Sequence, residues 1–135
     1  MPLITWGPKL EIGIEIIDSQ HKRLVNLINK LDEATKEGRA VETVGETLKG
    51  LIDYTHTHFT TEQELLKEHN YEDYTLHCRE HRIFTDQIEI YRDRLDAGSL
   101  RISDDVMGYM RGWLLTHIGS SDRAYIRTLK NAGVE

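Results

Sequence analysis

Among the residues of this chain that could ligate a metal ion, seven fall into four groups along the sequence, and three of the groups are closely spaced pairs. They are five histidines and two carboxylates: His21, His58, Glu62, His77, His81, His117 and Asp122. Side chains four residues apart lie on the same face of a helix, one turn from each other. One transition-metal ion takes about six ligands at most. Seven candidates therefore predict two adjacent ions.

The types of ligand indicate which chemistry such a centre could perform. Imidazole and carboxylate suit iron, zinc, copper or manganese. If Glu62 and Asp122 each bridge both ions, the five histidines divide three and two. With a bridging oxo or hydroxo group, one metal has six ligands, and the other has five and an open position for a small molecule. Nitrogen ligands outnumber the carboxylates, unlike the glutamate-rich di-iron oxygenases of similar bundles. We therefore expect little cleavage of oxygen–oxygen bonds.

Length and charge exclude several classes of protein. The 135 residues are enough for a single domain, 1–135, with its own core. The net charge of -6 argues against a nucleic-acid partner, and no apolar run approaches the ~20 residues of a membrane span. The N-terminus lacks the features of a signal peptide, and the lone Cys78 is consistent with a reducing compartment. We expect a cytoplasmic protein that binds no membrane.

Apolar residues recur at steps of three and four along four segments, which predicts four helices. The predicted ranges are residues 18–36, 43–68, 71–97 and 104–130. All seven candidate ligands lie on the apolar faces of these segments. Because the connections are short, neighbouring helices should be antiparallel. The sequence therefore predicts an all-α fold, an up-down-up-down antiparallel four-helix bundle.

The helix ends and the first 17 residues carry further signals. Asp18 or Ser19 could cap the first helix, and Thr43 with Glu46 could form a capping box on the second. Apolar residues alternate with polar ones along residues 10–16, but no second strand is predicted with which they could pair. We therefore expect residues 1–17 to form an extended arm along the helices, with Trp6 as its anchor.

One spacing departs from the helical repeat. His117 and Asp122 are five residues apart, so on a regular α-helix their side chains would diverge by about 140°. A π-bulge would return both to one face, and such bulges are frequent at functional sites. The residues between them include Gly119, Ser120 and Ser121, which are mediocre helix formers. The sequence predicts an inserted residue here, because the apolar repeat resumes one residue out of phase.

Four motifs together resemble the hemerythrin family, in its single-domain bacterial form (the bacteriohemerythrins). They are DSQHKRL at 18–24, HFTTE at 58–62, HCREH at 77–81 and WLLTHIGSSD at 113–122. The resemblance covers nearly the whole chain. It implies that His77, His81 and His117 hold a saturated iron, that His21 and His58 hold the iron that takes dioxygen, and that Glu62 and Asp122 bridge. It also implies an oxo or hydroxo bridge, reversible dioxygen binding, and binding of azide or other small anions to the oxidised form.

The resemblance also implies an apolar pocket around the ligand position. Phe59, Trp113, Leu114 and Ile118 correspond to its lining positions, and Leu24, one turn from His21, should join them. A dry pocket would slow the loss of bound oxygen to water and protons.

Other functions stay open on the sequence alone. A sensor would need a partner surface, for which no pattern is visible, and no protein partner can be named. A peroxidase, an oxidase or a nitric oxide-handling enzyme would need an acid or base, for which Tyr54, one turn before His58, is the candidate. Zinc would fit the same ligands without redox function.

Overall fold

A computed structural model describes residues 2–99 and 101–135. Its α-helices are α1 (Glu15–Lys36), α2 (Val41–Glu68), α3 (Tyr74–Asp96), α4 (Asp104–Thr116) and α5 (Arg123–Asn131). A π-helical turn, His117–Asp122, joins α4 to α5 without interruption, and we call these three segments together the fourth helix. The prediction of an antiparallel four-helix bundle is confirmed. Within the described ranges, no helix is both long and apolar enough to cross a membrane.

The apolar faces read from the sequence form the core of the bundle. On α1, for example, Ile17, Leu24, Ile28 and Leu31 are all at most 3 % exposed. Burying such a side chain stabilises the fold by about 1.5–3 kcal/mol. On α2 the last buried position is Leu66, whereas its neighbour Leu65 is only half-buried.

Short connections close each helical hairpin. Helix α1 ends in a Schellman-type motif, in which Gly38 donates to the Thr35 carbonyl and Arg39 donates to the Ala34 carbonyl. Gly38 has a φ of +65°, a left-handed conformation that costs glycine little. Asn70 takes the equivalent place after α2, with a φ of +53°. These sharp ends let each helix return beside the previous one.

The predicted caps of the first two helices are wrong. Helix α1 begins at Glu15, three residues before Asp18, and helix α2 begins at Val41, so that Thr43 lies inside its first turn. Neither helix has a side-chain cap. The residues that begin α2 are mostly exposed, so water can satisfy the first N–H groups. The fourth helix does begin with a side-chain cap, because Ser103 accepts a hydrogen bond from the Val106 N–H.

The N-terminal arm ties the first helix to the fourth. It ends at Ile14 rather than at residue 17, and it contains a 3₁₀ turn, Pro8–Leu10. The Asp18 carboxylate accepts hydrogen bonds from the backbone N–H groups of Ile12 and Gly13, at 2.9 and 3.0 Å. Asp18 therefore holds the arm against α1 instead of capping the helix.

Two arginines of the fourth helix bind the arm at two further positions. Arg111 donates to the Leu3 carbonyl at 3.3 Å, and Arg123, directly after the π-helical turn, donates to the Lys9 carbonyl. Trp6, the predicted anchor, is half-buried and lies beneath Lys22, 5.5 Å from its ammonium nitrogen. The arm thus braces the segment that carries the last two candidate ligands.

Candidate metal centre

All four helices contribute to one buried cluster of histidines and carboxylates. The seven side chains are His21 from α1, His58 and Glu62 from α2, His77 and His81 from α3, and His117 and Asp122 from the fourth helix. None of them is more than 5 % exposed. The predicted π-helical turn is confirmed: His117 begins it and Asp122 ends it, so that both face the cluster. The structure therefore brings together all seven residues that the sequence singled out.

Glu62 lies between two groups of imidazoles. Its Oε1 atom is 2.5 Å from Nε2 of His77 and 2.9 Å from Nε2 of His81. Its Oε2 atom is 3.3 Å from Nε2 of His58 and 3.7 Å from Nε2 of His21. Each oxygen of this carboxylate therefore faces a different group of histidines.

The two oxygens of Asp122 also face different groups of histidines. Its Oδ1 atom is 3.0 Å from Nε2 of His77 and 3.1 Å from Nε2 of His117. Its Oδ2 atom is 3.1 Å from Nε2 of His21. Two carboxylates thus connect a group of three imidazoles with a group of two, which is an arrangement suited to a pair of neighbouring cations.

Hydrogen bonds at the outer ring nitrogens fix the orientation of three imidazoles, those of His58, His81 and His117. The Nδ1–H of His58 donates to Oε1 of Gln20 at 2.7 Å, and the Nδ1–H of His81 donates to Oε1 of Gln63 at 2.8 Å. Oxygen atoms of this kind can only accept, so each Nδ1 must carry a hydrogen. In a neutral ring the lone pair is then on Nε2, which points into the cluster. Metal-binding histidines are typically held in this way.

Several buried atoms of the cluster have no adequate partner among the protein atoms. Burial lowers the pKa of His81 to about 4, so its ring is neutral at pH 7. Its Nε2 atom then carries no hydrogen to donate to Oε1 of Glu62, which lies 2.9 Å away. Both oxygens of Asp122 are buried and accept no hydrogen bond from residues 2–99 or 101–135. Unpaired buried polar atoms are rare in native proteins, and a cation among these atoms would satisfy them, so the residues fit a metal centre.

Without metal, protons carry the positive charge that the carboxylates require. Burial disfavours a charged His21, but Asp122 and Glu62 outweigh it and raise its pKa to about 9. The same balance raises the pKa of His77 to about 9 and that of His117 to about 10. Burial opposes ionisation of Glu62 as well, but the surrounding imidazoles hold its pKa well below the usual value. The cluster is therefore built around two ionised carboxylates.

Aromatic rings cover two of the histidines. The Phe59 ring stacks on His81, with centroids 3.7 Å apart, and the Trp113 ring stacks on His117 at 4.4 Å. Trp113 is half-buried and packs against Phe84 at 4.3 Å on its other side. The remaining predicted pocket residues, Leu24, Leu114 and Ile118, are buried in the core. Each stacked ring covers one face of an imidazole.

The structure also shows contacts that the sequence did not reveal. The Tyr125 hydroxyl donates to Oε2 of Glu62 at 3.0 Å. Tyr54, the tyrosine that the sequence favoured, lies instead beneath Arg23, 5.1 Å from its guanidinium carbon. Gln20, Gln63 and Glu80 were missed as partners of the histidines, although each is next to a candidate ligand in the sequence. That adjacency was the available signal.

Comparisons with known proteins agree with this arrangement. The family model described as the hemerythrin HHE cation binding domain matches residues 12–129. A bacteriohemerythrin of Stenotrophomonas maltophilia (strain R551-3) is 39 % identical over 131 residues, which cover 96 % of this chain and 84 % of that protein. A bacteriohemerythrin of Pseudomonas aeruginosa (strain LESB58) is 33 % identical over 132 residues, which cover 98 % of this chain and 85 % of that protein.

Solved structures of hemerythrin have the same fold as this chain. A crystal structure of wild-type hemerythrin superimposes with a TM-score of 0.90 at 28 % identity, covering 94 % of this chain and 98 % of that one. A leucine-to-alanine mutant of hemerythrin gives a TM-score of 0.91 at 28 % identity, covering 96 % of this chain and 98 % of that one.

Proposed function

The chain belongs to the hemerythrin family, and we propose that it binds dioxygen reversibly at a non-haem di-iron centre. On this proposal the protein carries, stores or supplies oxygen and is not an enzyme. The observation that carries it is the division of five imidazoles into three and two around a pair of shared carboxylates. This asymmetry would leave one iron with an open position and the other without one.

The roles of the side chains follow from that division. His77, His81 and His117 would hold one iron, and His21 and His58 would hold the other. Glu62 and Asp122 would bridge the two, because each turns one oxygen towards each group of histidines. Two iron ions bound there, with a bridging oxo or hydroxo group, would supply the electrons for reversible uptake of dioxygen. Azide and other small anions would compete for the open position in the oxidised protein.

The protein residues around the centre would keep the site dry and the ligands fixed. Gln20 and Gln63 orient His58 and His81 by accepting from Nδ1–H. Phe59 and Trp113 lie flat against two ligand rings. Because they exclude water and protons from that side, they would slow irreversible oxidation of the iron.

An enzymatic role has less support from the side chains near the centre. The Tyr125 hydroxyl donates to Glu62, and burial raises its pKa well above the usual value. A phenol of this kind is a poor proton donor near pH 7, since efficient acids have a pKa near the working pH. Tyr54 lies beneath Arg23 and makes no recorded hydrogen bond to the cluster among the described residues.

One anaerobic experiment tests the proposal. The iron-loaded protein is reduced to the diferrous state, dioxygen is admitted, the visible spectrum is recorded, and the gas is then removed. We expect a charge-transfer band that appears with dioxygen and disappears without it. Direct conversion to a stable diferric spectrum would favour the oxidase or peroxidase alternative. Metal analysis of the purified protein distinguishes iron from zinc.

A further inference from the structure

We propose that Glu80 sets the redox balance of the iron position held by His77, His81 and His117, by stabilising its ferric state. This inference rests on the proposed di-iron function and deepens it. Glu80 would be a positioning and tuning residue, because it contacts a ligand and not the reacting atoms. It would make the three-histidine iron easier to oxidise than its neighbour.

The first argument is the charge of the outer partners. Three histidines donate from Nδ1 to a side chain: His58 to Gln20, His81 to Gln63 and His117 to Glu80. The two glutamine partners are neutral amides. Glu80 is a carboxylate, and its Oε2 lies 3.1 Å from Nδ1 of His117. The group of three imidazoles therefore has an anionic partner, whereas on the other side Nδ1 of His21 is buried and has no hydrogen-bond partner among the residues that the structure describes.

The second argument is the location of Glu80. Its side chain is 33 % exposed, whereas His117 is almost fully buried. It lines a surface cavity of about 230 Å³ together with Asp73, His77 and Ser120. The outer face of the carboxylate is open to water in this cavity, while its inner face contacts His117. In the part of the chain that the structure describes, its recorded ion-pair partner is His117.

The chemical consequence follows from the type of hydrogen bond. A bond from N–H to a carboxylate is charge-assisted and about twice as strong as one to a neutral acceptor. It draws the Nδ1 proton outward, which makes the ring a stronger donor at Nε2. A stronger donor and a nearby negative charge both stabilise a trivalent cation more than a divalent one. Glu80 should therefore lower the reduction potential of the iron that His117 holds.

On the proposed function, the negative charge of Glu80 would affect how the centre binds dioxygen. A centre that gives up electrons more readily takes up dioxygen more tightly, and it is also oxidised more readily in air. The choice of glutamate at position 80 and glutamine at position 63 would thus set the compromise between affinity and autoxidation. A purely structural role for Glu80, holding the His117 ring at the start of the π-helical turn, would need only an oxygen acceptor.

Glu80→Gln separates these two roles, because it keeps an oxygen acceptor and removes the charge. We expect the reduction potential of the iron-loaded protein, measured by spectroelectrochemical titration, to rise. The ferric-to-ferrous equilibrium should shift by about tenfold, which is about 59 mV for one electron. We expect Gln63→Glu, which places a carboxylate on His81, to shift the potential in the opposite direction. Asp73→Asn is the matched control, because it removes a charge from the same cavity, and among the described residues the Asp73 side chain makes no hydrogen bond or ion pair with a candidate ligand.

The results can overturn the inference without reference to dioxygen binding. A Glu80→Gln potential equal to that of the unmodified protein, or equal to that of Asp73→Asn, would contradict it. If Glu80→Gln does not retain iron, Gln63→Glu decides alone, and an unchanged or higher potential in that variant contradicts the inference. The proposed function is tested separately by the dioxygen experiment. If the unmodified protein shows no reversible spectral change with dioxygen while the potentials differ as expected, the proposed function fails and the role of Glu80 stands.

Discussion

The hydroxyl of Tyr125 donates a 3.0 Å hydrogen bond to the Glu62 oxygen that faces His21 and His58. Tyr125 is fully buried, three residues after Asp122 in the sequence. The last helix therefore contributes a candidate bridging carboxylate and also a donor that fixes the other one. We expect this contact to determine which way Glu62 is turned.

Removal of this hydroxyl gives the first prediction. Tyr125→Phe should lower the free energy of unfolding of the metal-free protein by about 1.5–3 kcal/mol, because a buried bond to a charged group is lost. Urea unfolding followed by circular dichroism measures it. Tyr109→Phe is the control, since no hydrogen bond of its hydroxyl is recorded within the described ranges, and it should change stability by less than about 0.5 kcal/mol. Equal effects of the two substitutions would argue against a special role for Tyr125.

A second prediction concerns the bridging role of Asp122. Asp122→Ala should reduce the iron content to fewer than two ions per chain, because the pair of oxygens facing His77 and His21 is lost. Metal analysis after loading under anaerobic conditions gives the ratio. Two retained irons with an unchanged visible spectrum would mean that the bridges are misassigned.

A third prediction concerns Trp113, which stacks on His117 and is half-buried. Trp113→Leu should open the site to water and speed autoxidation about tenfold, which corresponds to about 1.4 kcal/mol of activation free energy. The decay of the oxygenated spectrum in air measures the rate. Tyr91→Leu is the control, because the Tyr91 ring packs on Tyr109, which in turn packs on the Phe84 ring beside Trp113. An equal acceleration in that variant would show that the effect is not specific to the pocket.

The pH dependence of the metal-free protein gives a fourth prediction. The folded pKa values of His21, His77 and His117, about 9 to 10, lie above the ordinary 6.5. Their protonation therefore stabilises the fold fully below about pH 6.5. This stabilisation is lost as the pH rises through 9 to 10. His81 has the opposite shift, but its effect is complete above about pH 6.5 and does not change the trend.

We therefore expect the urea midpoint of the metal-free protein to fall between pH 7 and pH 10. The iron-loaded protein should not show this fall, because metal ions replace the protons on the imidazoles. A midpoint that rises with pH in the metal-free protein would contradict the assigned protonation.

Sequence reasoning succeeded where one helix was enough to decide the outcome. The π-helical turn followed from the five-residue step between His117 and Asp122, together with the phase shift after it. The burial of the candidate ligands followed from their places in the apolar repeat. In both cases the periodicity of a single helix fixes the direction of a side chain, so no knowledge of the neighbouring helices was needed.

Sequence reasoning failed for contacts between two helices and for a helix end whose N–H groups water can hydrate. The bonds from His58 to Gln20 and from His117 to Glu80 join residues 38 and 37 positions apart. Such pairs depend on how the helices are rotated against each other, which spacing along one helix does not show. The capping box at Thr43 failed for a different reason. Exposed N–H groups can be hydrated, so the first turn of α2 did not require it.

The arm has a consequence for the order in which the chain assembles. Its contacts with the fourth helix join residues that are 108 and 114 positions apart, whereas α1, α2 and α3 pack against neighbours in the sequence. Contacts between distant positions form slowly, because a long loop must close first. On the ribosome the arm is synthesised before Arg111 and Arg123. The arm can therefore close over the π-helical turn only after both of these arginines have emerged.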